Sequence, residues 1–283
     1  MESVEVRSIA CPQECSMCSF SCRSKEASFV TQPDVNRTPE EFKREAQRQV
    51  TLAREHNPHA KIAFKVTHIG RGIKGNKRLC KRYVEILKAV RTVEGINCVD
   101  ACLGLLDWES ARAIAPYVDL YNNNLERIQR QSRSWVTDQH TLEDKVETLR
   151  LAKRAGMKIC SGILVGAGES AEDKIDILLK LRELAQEGII DSSPLNCFTP
   201  IYPSDLDIIA KVSGEDCMLA LCLARIMIPH HHFFPNAGRF RFGRFLPAMH
   251  AIASGYSSHH NYLTKFVNPD TDLLCQDLLK EMA

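Results

Sequence analysis

Lys61-Ile62-Ala63-Phe64-Lys65-Val66-Thr67-His68 runs into the turn Gly70-Arg71-Gly72-Ile73-Lys74-Gly75, and then into a helical stretch over 77–93 and a second strand-like stretch at 96–102. Strand, glycine turn, helix and strand in that order form one βαβ unit, and its beat repeats in both directions. Upstream lie a strand at 4–10 and a helix over 38–56. That helix has Thr38 as N-cap, Pro39 at the first helical position and Glu41 closing a capping box. Downstream come a helix from Asp107, a strand at 117–122, a helix at 141–155 and Gly156 at its C-cap position. There follow strand 157–165, helix 170–187, strand 191–198, helix 214–228 stopped by Pro229, strand 231–236, helix 243–253, strand 255–261 and helix 270–282. Eight strands alternating with eight helices predict an α/β chain folded as a single (β/α)8 TIM-type barrel over 1–283, with an open doubly wound sheet as the other arrangement. In such a barrel, functional residues sit just beyond the C-terminal ends of the strands.

The composition agrees. The chain has 283 residues, within reach of one large domain at ~100–200 residues per domain. Hydrophobic residues make up 44% and charged residues 25%, the balance of a globular protein. Lys and Arg number 37 against 35 Asp and Glu, so no global field recruits nucleic acid or an anionic membrane. No apolar run reaches the ~20 residues of a membrane span. The opening Met1-Glu2-Ser3-Val4-Glu5 has no apolar signal core, so a cytoplasmic location is expected.

The cysteines are unusual in placement. Twelve in 283 residues fall short of a disulfide scaffold, and reduced thiols in clusters point to metal or catalysis. Cys11-Pro12-Gln13-Glu14-Cys15-Ser16-Met17-Cys18 puts three thiols in a Cys-x3-Cys-x2-Cys pattern directly after the first strand. Three thiolates on a [4Fe–4S] cube leave one iron without a protein ligand. A zinc loop completed by Cys22 or a distant His is the other reading of these residues.

The Cys-x3-Cys-x2-Cys pattern resembles the mark of the radical S-adenosylmethionine superfamily, in which the open iron is chelated by that cofactor. Further tags resemble the biotin synthase branch: Cys11-Pro12-Gln13, Tyr121-Asn122-Asn123-Asn124-Leu125-Glu126, Cys160-Ser161-Gly162-Ile163-Leu164-Val165-Gly166-Ala167-Gly168-Glu169, Pro194-Leu195-Asn196, Ala224-Arg225-Ile226-Met227-Ile228-Pro229, Ala237-Gly238-Arg239 and Asn261-Tyr262-Leu263-Thr264. The same branch holds methylornithine synthase and the [FeFe]-hydrogenase maturase. The resemblance implies cluster ligation by Cys11, Cys15 and Cys18, and cofactor binding by Asn124, Glu126, Lys145 and Gly166. Lys145 stands where the family commonly has an arginine for the cofactor carboxylate. Asn124 and Asn196 would reach the substrate, and neutral amides suit a neutral cyclic urea.

The implied activity is sulfur insertion into dethiobiotin through a 5′-deoxyadenosyl radical, a biotin synthase-like sulfurtransferase reaction. Its implied partners are an electron donor such as flavodoxin or ferredoxin and a second copy of the chain in a homodimer. Sulfur insertion in the family draws on an auxiliary iron–sulfur cluster. Here its ligands would be Cys102, Cys160 and Arg239, with Cys98 as a neighbour on the face of Asp100. The chain departs from the family in strand two, where Phe64 and Lys65 stand in place of a cysteine ligand. It departs again in strand three, where the second family cysteine falls on Asp100, and at Pro203-Ser204-Asp205, where the family has Gly-Thr-Pro. A related radical mutase or maturase without sulfur insertion, or a non-catalytic iron–sulfur or metal-binding barrel, are the other functions this sequence supports. His230-His231-His232 would alternate faces along a strand and so spread rather than converge on one ion.

Overall fold

The computed structural model describes residues 2–7, 38–59, 61–67, 71–126, 140–166, 169–198, 213–236 and 239–254. The first six described helices begin where the sequence supplies a side-chain oxygen to an orphan amide. Thr38 accepts from the Glu41 N–H and the Glu41 carboxylate answers the Thr38 N–H, which opens α1 (Pro39–His56). Asn76 caps α2 (Lys77–Arg91). Reciprocal capping boxes start α3 (Trp108–Ile114), α4 (Leu142–Arg154), α5 (Ala171–Gln186) and α6 (Gly214–Met227). The last described helix, α7 (Leu246–Ile252), starts later than residue 243. Gly243, at φ 49°, breaks the helical path, and the preceding Arg239–Phe245 turn is 3-10.

The strands are β1 (Glu2–Arg7), β2 (Ile62–Thr67), β3 (Ile96–Cys102), β4 (Leu120–Asn122), β5 (Lys158–Cys160), β6 (Ile163–Val165), β7 (Ser192–Cys197) and β8 (His232–Pro235). They form one sheet in the order β1-β2-β3-β4-β5-β7, with β6 and β8 also on β7, and every pairing is parallel. β5 and β6 divide the strand expected over 157–165, and Pro194 supplies the reason. A proline has no N–H for the ladder, and a Cβ on Gly162 would lie 1.9 Å from the Pro194 carbonyl oxygen. The ladder therefore runs from Cys160↔Ser192 to Ile163↔Leu195 across a break that only glycine fits. Counting β5 and β6 as one strand, the described sheet follows the first seven strands of a (β/α)8 barrel in sequence order. Strand 255–261 and helix 270–282 lie outside the described residues.

The two faces of the sheet differ in chemistry. Ile62, Phe64, Val66, Val99, Ala101, Tyr121, Ile159, Ile163, Val165, Leu195 and Phe233 join Phe42, Tyr83, Ile86, Leu149, Leu181 and Leu221 of the helices in one hydrophobic core. The alternate residues, among them Lys65, Asp100, Cys102, Asn122, Cys160 and Asn196, point to the other, inner face. Apolar burial on one face thus fixes which side chains the barrel presents inside.

Candidate active site

At the C-terminal ends of the strands, two glycines interlock the first loops. Gly72 (φ +117°) and Gly104 (φ +68°) meet backbone to backbone, and a Cβ on Gly72 would lie 2.0 Å from the Leu105 nitrogen. The Leu105 N–H donates to the Arg71 carbonyl at 3.0 Å and the Lys74 N–H to the Leu105 carbonyl at 2.9 Å. The Gly104 carbonyl also accepts from the Tyr121 hydroxyl at 2.6 Å and from the Asn123 amide at 3.2 Å. The rim of β2, β3 and β4 is therefore one hydrogen-bonded unit.

Beyond β4, residues 124–126 are laced to the broken strand. Asn124 Oδ1 accepts from the Gly162 N–H at 3.0 Å, the Glu126 N–H donates to the Gly162 carbonyl at 3.2 Å, and the Leu164 N–H donates to the Glu126 carbonyl at 3.0 Å. Glu126 stands at φ 67°, and among the described residues no other non-glycine has a positive φ. A side chain held there costs of order 1–3 kcal/mol and marks a backbone that its surroundings dictate. Burial pushes the Glu126 carboxyl up from its ordinary value, against the Lys145 ammonium and an Asn124 hydrogen bond that pull it down. Lys145, on the first turns of α4, is buried and turned into this loop. Its Nζ donates to the Asn124 carbonyl at 2.9 Å and the Leu125 carbonyl at 3.4 Å. Beside it, burial first and the Lys145 charge second hold the His140 imidazole down at about 4. On the next loop, Gly166 (φ 90°) donates its N–H to Glu169 Oε1 at 2.5 Å, and Lys174 reaches the same carboxylate at 3.8 Å.

The inner face carries charge. Lys65 and Asp100 are register partners on β2 and β3, and their Nζ and Oδ2 lie 3.6 Å apart with side chains only 14% and 9% exposed. One residue pair nearer the rim come Thr67↔Cys102, and, two strands on, Asn122↔Cys160. Burial first and the Asp100 carboxylate second push the Cys160 thiol up to about 12, and the same two causes push Cys98 up to about 11. Asn196 lies buried on the inner face of β7.

Several sequence expectations can be placed. Asn124, Glu126 and Lys145 come together at the rim, with Gly166 on the next loop, while Cys102, Cys160 and Asn196 lie on the inner face beneath it. Asn124 serves the loop itself through Gly162 and Glu126, which its sequence position did not disclose. Cys11, Cys15 and Cys18 lie outside the described residues, as does the side chain of Arg239, whose backbone opens the 3-10 turn. The three histidines separate. His230 and His231 precede β8 and His232 begins it, with His231 Nε2 sharing a 2.8 Å hydrogen bond with the Ser193 hydroxyl. Two features were missed: the Lys65–Asp100 pair and the Glu169 brace under Gly166. No local signal was available for the first, because the register that sets Lys65 beside Asp100 comes from strand pairing.

Comparison with known proteins gives the class of this chain. The profile of the Radical SAM superfamily matches residues 6–181. Biotin synthase of Geotalea daltonii is 32% identical over 240 residues, covering 83% of this chain and 67% of the relative. Biotin synthase of Geobacter sulfurreducens is 30% identical over 275 residues, covering 94% and 76%. Against biotin synthase of an Anaeromyxobacter strain, the chain spans 58% of the relative's length. The chain belongs to the radical S-adenosylmethionine superfamily and is a biotin synthase-like member of it. Its fold is that of HydG, a maturase of the [FeFe]-hydrogenase, at TM-score 0.70, 15% identity and coverage of 90% and 56%. Methylornithine synthase (PylB) gives TM-score 0.68, 19% identity and coverage of 91% and 71%.

Proposed function

We propose that this protein takes a hydrogen atom from an unactivated C–H bond of a small organic substrate held over the inner face of the barrel. The observation that carries the reading is the position of the Cys11, Cys15 and Cys18 run. It begins four residues beyond Arg7, the last residue of β1, whose partner Thr67 ends β2 at the described rim. Three soft thiol donors suit a [4Fe–4S] cluster, and the rim suits S-adenosylmethionine. Glu126 offers a carboxylate at a fixed, positive-φ position, and Gly166 offers a close backbone approach. When bound, cluster and cofactor supply a primary-carbon radical strong enough for such a bond. The protein's residues do the rest. Lys145 and Asn124 hold the 124–126 loop against Gly162, Glu169 holds Gly166, and the interlocked Gly72 and Gly104 keep the mouth rigid, so that donor and acceptor atoms stay aligned.

Two finer readings divide the branch. Similarity to biotin synthases at 30–32% identity supports sulfur insertion into dethiobiotin, with Asn124 and Asn196 toward the substrate, a flavodoxin or ferredoxin as donor, and a homodimer. The Lys65–Asp100 ion pair favours the second, a radical rearrangement or maturase-type reaction without sulfur insertion, and this is the reading we adopt. It puts an ammonium and a carboxylate where the resemblance calls for two thiolates. Deuterated dethiobiotin separates the two. Deuterium in 5′-deoxyadenosine together with biotin in the product mixture supports sulfur insertion. Reductive cofactor cleavage without deuterium transfer supports a different substrate, the outcome expected here.

A further inference from the structure

The inner face has a defined donor inventory. β2 contributes Ala63, Lys65 and Thr67, β3 contributes Cys98, Asp100 and Cys102, β4 contributes Leu120 and Asn122, and β5 contributes Cys160. Iron–sulfur clusters are held by cysteine thiolates. Here β2 has no thiol on this face, and the centre of β3 has a carboxylate. Lys65 lies 3.6 Å from that carboxylate, and a protonated ammonium has three donors and no lone pair for iron. An anionic cluster inserted at this depth would have to displace the pair and then stand against the Asp100 carboxylate. Among the described residues, no three His, Cys, Asp or Glu side chains are grouped so that they could hold a metal ion.

We infer that this chain carries one iron–sulfur cluster, that of Cys11, Cys15 and Cys18, and that the Lys65–Asp100 ion pair occupies the inner-face position where sulfur-inserting enzymes of the biotin type keep a second. The inference rests on the reading of the chain as a radical S-adenosylmethionine enzyme. It sets aside the expectation of an auxiliary cluster on Cys102, Cys160 and Arg239. Those two thiols then stand on the inner face one layer nearer the rim than the ion pair, and no protein-bound sulfide is at hand for transfer to a substrate.

The test is iron and sulfide counting on the full chain after anaerobic reconstitution, with Mössbauer spectra of the same samples. The wild type should hold about four iron and four sulfide per chain, all in one [4Fe–4S] species. The triple variant Cys11→Ala, Cys15→Ala, Cys18→Ala should hold none. Iron clearly above four in the wild type, retained in part by the triple variant or resolved as a second Mössbauer species, overturns the inference and the reading without sulfur insertion, while leaving the radical S-adenosylmethionine assignment intact. A wild type that binds zinc and no iron overturns both. Should the triple variant fail to fold, the wild-type Mössbauer spectrum alone decides, since a second cluster adds its own quadrupole doublet.

Discussion

Lys145 shows how one buried side chain organises a rim loop. Its Nζ satisfies two loop carbonyls, and its charge faces Glu126. Lys145→Met leaves two acceptors without their donor inside the protein, so a loss of about 1–3 kcal/mol is expected from thermal or urea unfolding, and cofactor affinity should fall with it. Lys145→Arg should restore part of both. Lys65→Met is expected to cost more, about 3–5 kcal/mol, because it strands the Asp100 charge in a nearly dry interior. Lys65→Met combined with Asp100→Leu should recover most of that loss. Equal stability of the single and double variants would remove the pair from the account. None of this was legible in the sequence. Lys65 and Asp100 could each be put on a strand face, but the register that makes them neighbours is set by long-range pairing. Lys145 could be matched to a cofactor-binding arginine, but its turn toward the backbone of 124–126 depends on a loop conformation that no local pattern encodes.

At the level of elements, legibility follows locality. The Thr38–Glu41 capping box and the Gly156 stop were readable because every participant lies within one turn of the helix end. The break between β5 and β6 was not readable, because its cause, Pro194, belongs to a strand paired only in the folded barrel. Glycine substitutions should sort accordingly. Gly162→Ala must displace the Pro194 carbonyl 1.9 Å away, and Gly72→Ala meets the Leu105 backbone at 2.0 Å in an unfavourable φ. Both variants should lose several-fold more stability than Gly75→Ala. That residue also has a positive φ, at +69°, but nothing lies within 4 Å of an added Cβ, so about 1–2 kcal/mol is expected there. Chemical denaturation of the three variants checks the ranking, and an inexpensive Gly162→Ala would contradict the reason given for the strand break.

Across the whole molecule, the alternation of strands and helices was legible because hydrophobic periodicity and turn residues recur along the chain, whereas the division of labour between the sheet's two faces needed the pairing itself. Two histidines give the fold a pH signature. Burial is the first cause that holds His140 and His231 down at about 4, from an ordinary 6.5. Between those values the unfolded chain binds protons that the folded chain refuses. Their contribution to stability is therefore fully present above about 6.5 and is lost as pH falls toward about 4. Thermal melts from pH 7 to 4.5 should show this decline, and His231→Gln should make it shallower; an unchanged slope would contradict the assignment. The central claim, radical chemistry on this barrel, is tested most directly by quantifying 5′-deoxyadenosine after anaerobic reduction of the reconstituted protein with S-adenosylmethionine. Wild-type protein should produce it and Cys15→Ala should not. A Cys15→Ala variant that cleaves the cofactor at the wild-type rate, or an iron-loaded wild type that yields none, would contradict the account.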